Sequence, residues 1–371
     1  MKNTSLKELD SIGKLDFKKA ALNHKLVYKS DVGFSKNIKF GIEIEALGDD
    51  FLNSLRKKFD ISYFYDPDFV PYDIYKKNKW VLTKENSLKL ENGEIIYQGN
   101  SDIDSYFINL DLWLKLKIPS KGGEISSPVF TDNQKTWKSI DKMIKYMKKH
   151  VSNLRVNDSC ASHAHFSIDI FNNNPELLFS FMVLLAETEP ILTRFFCGEY
   201  INLREDSKAW AKPFNRFFIK GLAGKFDMTS YESLLESIYN QAFLEFPLSF
   251  SDNFYKIYAF NFNNICSDKS RSKDTFENRI PNGTLEPKII QNNIMLMGYL
   301  MEYVAGGKYD YERGLSLINI SDYHEIDDER AFYVADMLPS DELKLDFLTQ
   351  YYKDEKVSHS KQLVKSQRNF Y

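Results

Sequence analysis

Cysteine is scarce in this chain of 371 residues. The three that occur, Cys160, Cys197 and Cys266, are odd in number and form no Cys-x-x-Cys pair. That usage argues against a disulfide framework and a cysteine zinc site, and fits a reducing cytoplasm. Strong net charge is also missing. The formal balance is −3, which gives no electrostatic case for nucleic acid or an anionic membrane as partner. Long apolar runs are absent too: the most apolar stretch, Leu177 to Ala186, is too short to span a bilayer and runs into Glu187 and Glu189. The opening Met1-Lys2-Asn3-Thr4-Ser5-Leu6-Lys7 has no signal-peptide core. No internal repeat is present. The expectation is a soluble, cytoplasmic protein.

What is there begins with core material: 43% of residues are hydrophobic and 15% aromatic, enough for one large domain or two modest ones. Three strand-like segments then carry chemistry-bearing side chains two residues apart. They are Phe40-Gly41-Ile42-Glu43-Ile44-Glu45, Ser162-His163-Ala164-His165-Phe166 and Thr275-Phe276-Glu277-Asn278-Arg279-Ile280. Residues i and i+2 of a strand share a face. Glu43 with Glu45, His163 with His165, and Glu277 with Arg279 therefore predict a sheet with one apolar and one charged face. A fourth segment, Gly122-Gly123-Glu124-Ile125-Ser126-Ser127-Pro128, adds Glu124 in an extended stretch. If the four segments are neighbours, four carboxylates, two imidazoles and one guanidinium converge.

Burying that much negative charge unpaired is prohibitive. Divalent cations neutralise it, and carboxylates with an imidazole suit a hard metal such as magnesium or manganese. Arg279 would then clamp an anion, since guanidinium matches phosphate oxygens in a fork. Bland readings stand beside these. Glu43 and Glu45 could be the solvent face of an edge strand, two histidines can begin a zinc site, and Glu277-x-Arg279 could be a surface ion pair of little worth. Gly41 lies on the acidic face and leaves room for a ligand.

Along the chain, residues 1–36 read as an extension or peripheral helix, 37–305 as a catalytic domain with a helical insertion at about 215–253, and 306–371 as a helical extension. Strands are predicted at roughly 37–47, 80–83, within 92–118, at 163–170 and 274–280. Helices are predicted at 132–151, where Trp137, Ile140, Ile144 and Met147 fall three and four apart, and at 176–196, 229–243, 288–304 and 340–352. The helix over 176–196 is largely apolar. Glu189 on it is expected to be a mild control position. Two aromatic-rich segments, Tyr63–Tyr75 and Phe243–Phe262, read as core or as a pocket for a peptide or apolar amine.

The ordered series Gly41-Ile42-Glu43-Ile44-Glu45, Gly123-Glu124-Ile125-Ser126-Ser127-Pro128, Cys160-Ala161-Ser162-His163-Ala164-His165 and Glu277-Asn278-Arg279-Ile280-Pro281-Asn282-Gly283-Thr284-Leu285 resembles the amidoligase family. That family belongs to the carboxylate–amine ligases with glutamine synthetase and glutamate–cysteine ligase. The resemblance spans about residues 38–304. It implies an α+β fold with a curved, largely antiparallel sheet around magnesium ions and ATP. By position it implies Glu43, Glu45, Glu124, His163 and Glu277 as metal ligands, His165 near the ATP phosphates, and Arg279 facing the γ-phosphate. Arg279, Glu124 and Glu277 are the catalytic candidates. Asn202, Arg204 and Lys212 lie where such ligases often contact substrate. Two departures are Ala161, where the family has glycine, and Glu85-Asn86-Ser87, where it has an Asp-Gly-Ser turn; neither is expected to touch a ligand.

The implied activity is ATP-dependent amide formation between a carboxylate and an amine, through an acyl phosphate. The residues alone suit that chemistry, because γ-phosphoryl transfer needs metals on the phosphates and a cation for developing charge. A phosphotransferase of the same broad fold, a metal hydrolase and a non-catalytic nucleotide- or peptide-binding protein remain as alternatives.

Overall fold

The alternation of Phe40, Ile42 and Ile44 with Gly41, Glu43 and Glu45 does build a strand, and that strand is the centre of the sheet. The computed structural model describes residues 14–56, 62–64, 80–83, 85, 88, 90, 121–197, 211, 213–214, 226–244, 258–262, 264–265, 274–318 and 326–353. In chain order the described elements are α1 Lys14–Asn23, β1 Phe40–Asp49, α2 Phe51–Arg56, β2 Ser62–Phe64, β3 Val81–Thr83, β4 Gly122–Ser126, α3 Gln134–His150, β5 Ser152–Arg155, β6 Ala164–Ser167, α4 Pro175–Phe196, α5 Tyr231–Leu244, β7 Phe260–Asn261, β8 Thr275–Asn278, α6 Pro287–Ala305, α7 Tyr311–Leu317, α8 Asp328–Ala335 and α9 Asp341–Tyr351. The sheet runs β2-β3-β4-β1-β6-β8-β7, and β5 also pairs with β1. Only β2 and β3 pair in parallel; the other described pairs are antiparallel. The protein is α+β, as expected. The strands expected within 92–118 lie outside the described residues.

Register decides which side chains share a face. Glu45 pairs with Glu124, Thr83 with Glu124, Gly41 with His165, His165 with Glu277, and Glu277 with Asn261. The intervening residues turn the other way and are apolar: Phe40, Ile42, Ile44, Ile125, Phe166 and Phe276 are all buried. On that reverse face rings step across the strands, with centroids 6.3 Å apart for Phe40–Phe166 and 5.4 Å for Phe166–Phe276. Such pairs add about 0.5–1.5 kcal/mol each beyond burial.

Helices α3 and α4 cover this apolar face. Asn133 caps α3 by accepting from the Lys135 and Thr136 amides, and Trp137, Ile140, Ile144 and Met147 are buried as their spacing predicts. Trp137 stacks on Phe40 with centroids 5.6 Å apart. From α4, Phe181 meets Phe276 edge-on at 5.0 Å. This helix is buried on all sides from Leu178 to Phe196. Glu189 therefore does not suit the mild control expected of it: it is buried and accepts the Phe214 N–H at 2.7 Å.

The described parts of the two terminal segments pack on each other and join the same core, which includes Ala21, Phe34, Phe347 and Tyr351. His24 and Lys29 both bond Asp346 on α9, at 2.8 and 2.6 Å. Buried Asp132 accepts from the Gly33 amide at 2.7 Å and from Trp137 Nε1 at 2.6 Å, which pins the entry to β1. Gly33 sits at φ +87°, where a side chain would be strained. Among the described residues no helix is long and apolar enough to cross a membrane.

Candidate active site

The polar face divides into two halves on either side of β1. In the first, β3 and β4 bring up Glu85 and Glu124 beside Glu45. One oxygen from each of these three carboxylates lies within 4.8 Å of the other two. Gly123 lets α2 and β3 pack closely on β4: a Cβ there would sit 2.9 Å from both the Thr83 carbonyl oxygen and Leu52 Cδ2. Glu45 and Glu124 are buried and Glu85 is half-buried. Hydroxyls and a backbone amide donate to Glu124 and Glu45. Ser126 Oγ donates to Glu124 Oε1 at 2.9 Å, and Thr83 Oγ1 reaches the same oxygen at 3.4 Å. The Ala161 amide donates to Glu45 Oε2 at 2.6 Å. Burial, then the charges of Glu43, Glu85 and Glu45, push the Glu124 carboxyl well above the usual range.

The second half lies between β1, β6 and β8. His165 Nε2 is 3.0 Å from Glu43 Oε1, and His163 Nδ1 lies 3.3 Å from both Glu43 Oε2 and Glu277 Oε1. Arg279 Nη1 donates to Glu277 Oε1 at 2.5 Å, and Asn261 Nδ2 donates to Glu277 Oε2 at 2.7 Å. Here the carboxylates are held low. Burial raises Glu277, but Arg279, His165 and His163 override it and bring its carboxyl down to about 2. Burial likewise raises Glu43, and His165 and His163 pull it well below the usual range. Burial would lower Arg279, yet Glu277, Glu43 and Glu45 raise it, so its charge is secure.

Beside the second half opens a cavity of about 420 Å³. Gly41, Glu43, Ser127, His165 and Ser167 line it, and the Lys39–Asp169 ion pair, 2.8 Å long, stands at one edge. A Cβ on Gly41 would have Ser127 Oγ at 3.8 Å as its nearest neighbour, so any longer side chain there would enter the cavity.

The donor chemistry fits divalent cations. Glu45, Glu85 and Glu124 form an all-oxygen set, and Glu43, His165 and Glu277 a second set of two oxygens and one nitrogen, again within 4.8 Å of one another. Hard ions of the magnesium and manganese kind prefer such ligands.

Seven residues singled out from sequence thus converge: Glu43, Glu45, Glu124, His163, His165, Glu277 and Arg279. The resemblance assigns metal to His163 and phosphate to His165. In the structure both rings touch the same two carboxylates, and His165 is the one grouped with Glu43 and Glu277. Asn202, Arg204 and Lys212 lie outside the described residues. Four contributors went unrecognised: Glu85, Thr83, Ser126 and Asn261. Both departures touch the carboxylates, against the expectation that neither would: the Ala161 amide donates to Glu45, and Glu85 joins Glu45 and Glu124. The same alternation could have found Glu85, because Thr83 and Glu85 are two apart and Thr83 faces Glu124.

A family model described as "putative amidoligase enzyme" matches residues 36–301, well over half of the chain. No curated protein matches the chain significantly.

Proposed function

Because the chain belongs to the amidoligase family, we propose that it is an ATP- and magnesium-dependent ligase that joins a carboxylate to an amine through an acyl phosphate. The observation that carries this is the pair of ion-competent groups, Glu45–Glu85–Glu124 and Glu43–His165–Glu277, set on one sheet face with the half-buried Arg279 beside them. A carboxylate is a poor electrophile until its oxygen is phosphorylated. Magnesium–ATP, when bound, supplies the γ-phosphoryl group and the positive charge that the acidic residues lack.

This chain's residues would do the rest. Glu45, Glu85 and Glu124 hold one ion, and Glu43, His165 and Glu277 a second. Arg279, kept charged by three carboxylates, faces the phosphoryl group as its oxygens gain charge. His163 bridges Glu43 and Glu277 and keeps their inner oxygens apart. The cavity floored by Gly41 adjoins His165 and is where the nucleotide would continue away from the ions. The substrate's carboxylate oxygen takes the γ-phosphorus as the bond to the ADP oxygen breaks. The amine nitrogen then attacks the acyl carbon, phosphate leaves, and a proton is lost.

Incubation with magnesium–ATP and a panel of carboxylate–amine pairs tests the proposal. Equal yields of amide, ADP and phosphate are expected. A stable phosphorylated acceptor would mean a phosphotransferase, and turnover without nucleotide a hydrolase.

A further inference from the structure

Each buried carboxylate of the polar face has one oxygen fixed by a donor of the protein. Glu45 is fixed by the Ala161 amide and Glu124 by Ser126 and Thr83. Glu277 is fixed by Asn261, whose Nδ2 donates to Oε2 at 2.7 Å. The partner oxygen, Oε1, is then the one shared by Arg279, His163 and His165.

We propose that Asn261 is the positioning residue of the Glu43–His165–Glu277 group: it pins Glu277 Oε2 so that Oε1 alone is presented to the bound ion and to Arg279. The proposal rests on the metal reading above and adds to it an uncharged residue that acts through Glu277. Several features favour positioning over ordinary packing. Asn261 is only 1% exposed, in a two-residue strand whose neighbour Phe260 faces the apolar side. It stands directly across from Glu277 in the ladder. An amide there carries a desolvation cost that an aliphatic side chain would avoid, and its hydrogen bond to a charged acceptor offsets it. An amide is also the donor that leaves the local charge unchanged. A lysine in its place would add a second cation beside Arg279, and an aspartate would repel Glu277.

Without the amide, the carboxylate can rotate about its last bond and exchange its two oxygens. The fork from Arg279 then holds either oxygen, and the ion loses a fixed ligand. Partners of metal ligands of this kind are worth about 10–100-fold in metal affinity.

The test uses the full chain with a saturating non-hydrolysable ATP analogue and manganese as probe, followed by electron paramagnetic resonance. Two classes of manganese site are expected in the unaltered protein, with Glu277→Gln removing the weaker. Asn261→Leu, which keeps the shape, and Asn261→Ala, which avoids any clash, should each weaken that class about 10–100-fold. Both should leave the tighter class within about twofold and should melt as cooperatively as the parent. A weaker class within twofold of the parent in both variants, while Glu277→Gln removes it, overturns the role of Asn261. No weaker class in the parent, or one indifferent to Glu277→Gln, overturns the metal reading itself.

Discussion

The two halves of the polar face are built from the same kind of side chain yet are balanced in opposite ways. Around Glu277 and Glu43 the protein supplies one guanidinium, Arg279, and two imidazoles, His163 and His165, and the carboxyls are pulled down. Around Glu124 and Glu45 the donors described are hydroxyls and an amide, Arg279 acts on Glu45 through its charge alone, and the Glu124 carboxyl is pushed up. Two unit charges 4.8 Å apart repel by roughly 3.5 kcal/mol at an effective dielectric of about 20. Such repulsion favours either a proton on one of the three carboxyls or a cation among them. On the proposed function, one half would be poised before any ligand arrives and the other would be completed by an ion.

The sharpest way to break this comparison is to remove charge from each half. Glu124→Gln and Glu45→Gln should abolish turnover, by roughly three decades or more, with the fold retained, because each keeps shape and removes charge stabilisation at an ion. Manganese binding without nucleotide should fall with it. Arg279→Ala should cost about three to five decades in maximal rate, as phosphate-facing arginines do elsewhere. Arg279→Lys should recover part of that, since the charge stays and the planar fork is lost. In both, nucleotide affinity should change far less than rate, the signature of an interaction that strengthens in the transition state. Near-normal rates would reduce Arg279 to a partner of Glu277.

A smaller effect is expected at Glu85, which is half-buried and so better screened. Glu85→Gln should weaken the nucleotide-free ion about tenfold, near 1.4 kcal/mol, as read by calorimetric titration. An unchanged affinity would remove Glu85 from the group.

Acid sharpens the contrast further. The Glu124 carboxyl is raised in the folded protein, so its protonated form favours the fold. That contribution is complete below the unfolded value of 4.5 and is lost as pH rises through the raised one. A cation must displace this proton, so ion affinity at the three-carboxylate half should grow with pH. Glu277, held at about 2, stays ionised throughout. Magnesium should thus raise the melting temperature more at pH 8 than at pH 6, a ligand at a hundredfold excess over Kd being worth about 2.7 kcal/mol. An equal rise at both pH values would contradict the assignment. The smallest effect belongs to Glu176→Gln, on the exposed first turn of α4, which should stay within about 0.5 kcal/mol of the parent in stability.

The polar face was legible because period-two alternation is a local signal. Glu43 with Glu45, and Glu277 with Arg279, declare a shared face without any knowledge of neighbouring strands. Glu85 carries the same signal, but it follows a three-residue strand and sits in what reads as a turn. Asn261 hides among Tyr258, Phe260 and Phe262, whose rings suggest nothing but core, and its importance arises only from the register that sets it opposite Glu277. The union of the terminal segments was not legible at all. His24 and Asp346 meet across 322 positions of sequence, and a contact between such distant residues leaves no periodic trace in either one. Helix α7 falls within the segment 306–371 read as helical, but its bounds were not legible. Its seven residues are too few for a period to show, and capping by Asp310 sets its start.

The central claim is that the three-carboxylate half takes an ion before any nucleotide and the histidine half does not. Manganese titrated into the nucleotide-free protein, with the parent, Glu124→Gln and Glu277→Gln compared side by side, tests it most directly. The account predicts a tight ion in the parent, retained in Glu277→Gln and lost in Glu124→Gln. A tight ion that survives Glu124→Gln and disappears in Glu277→Gln would contradict it.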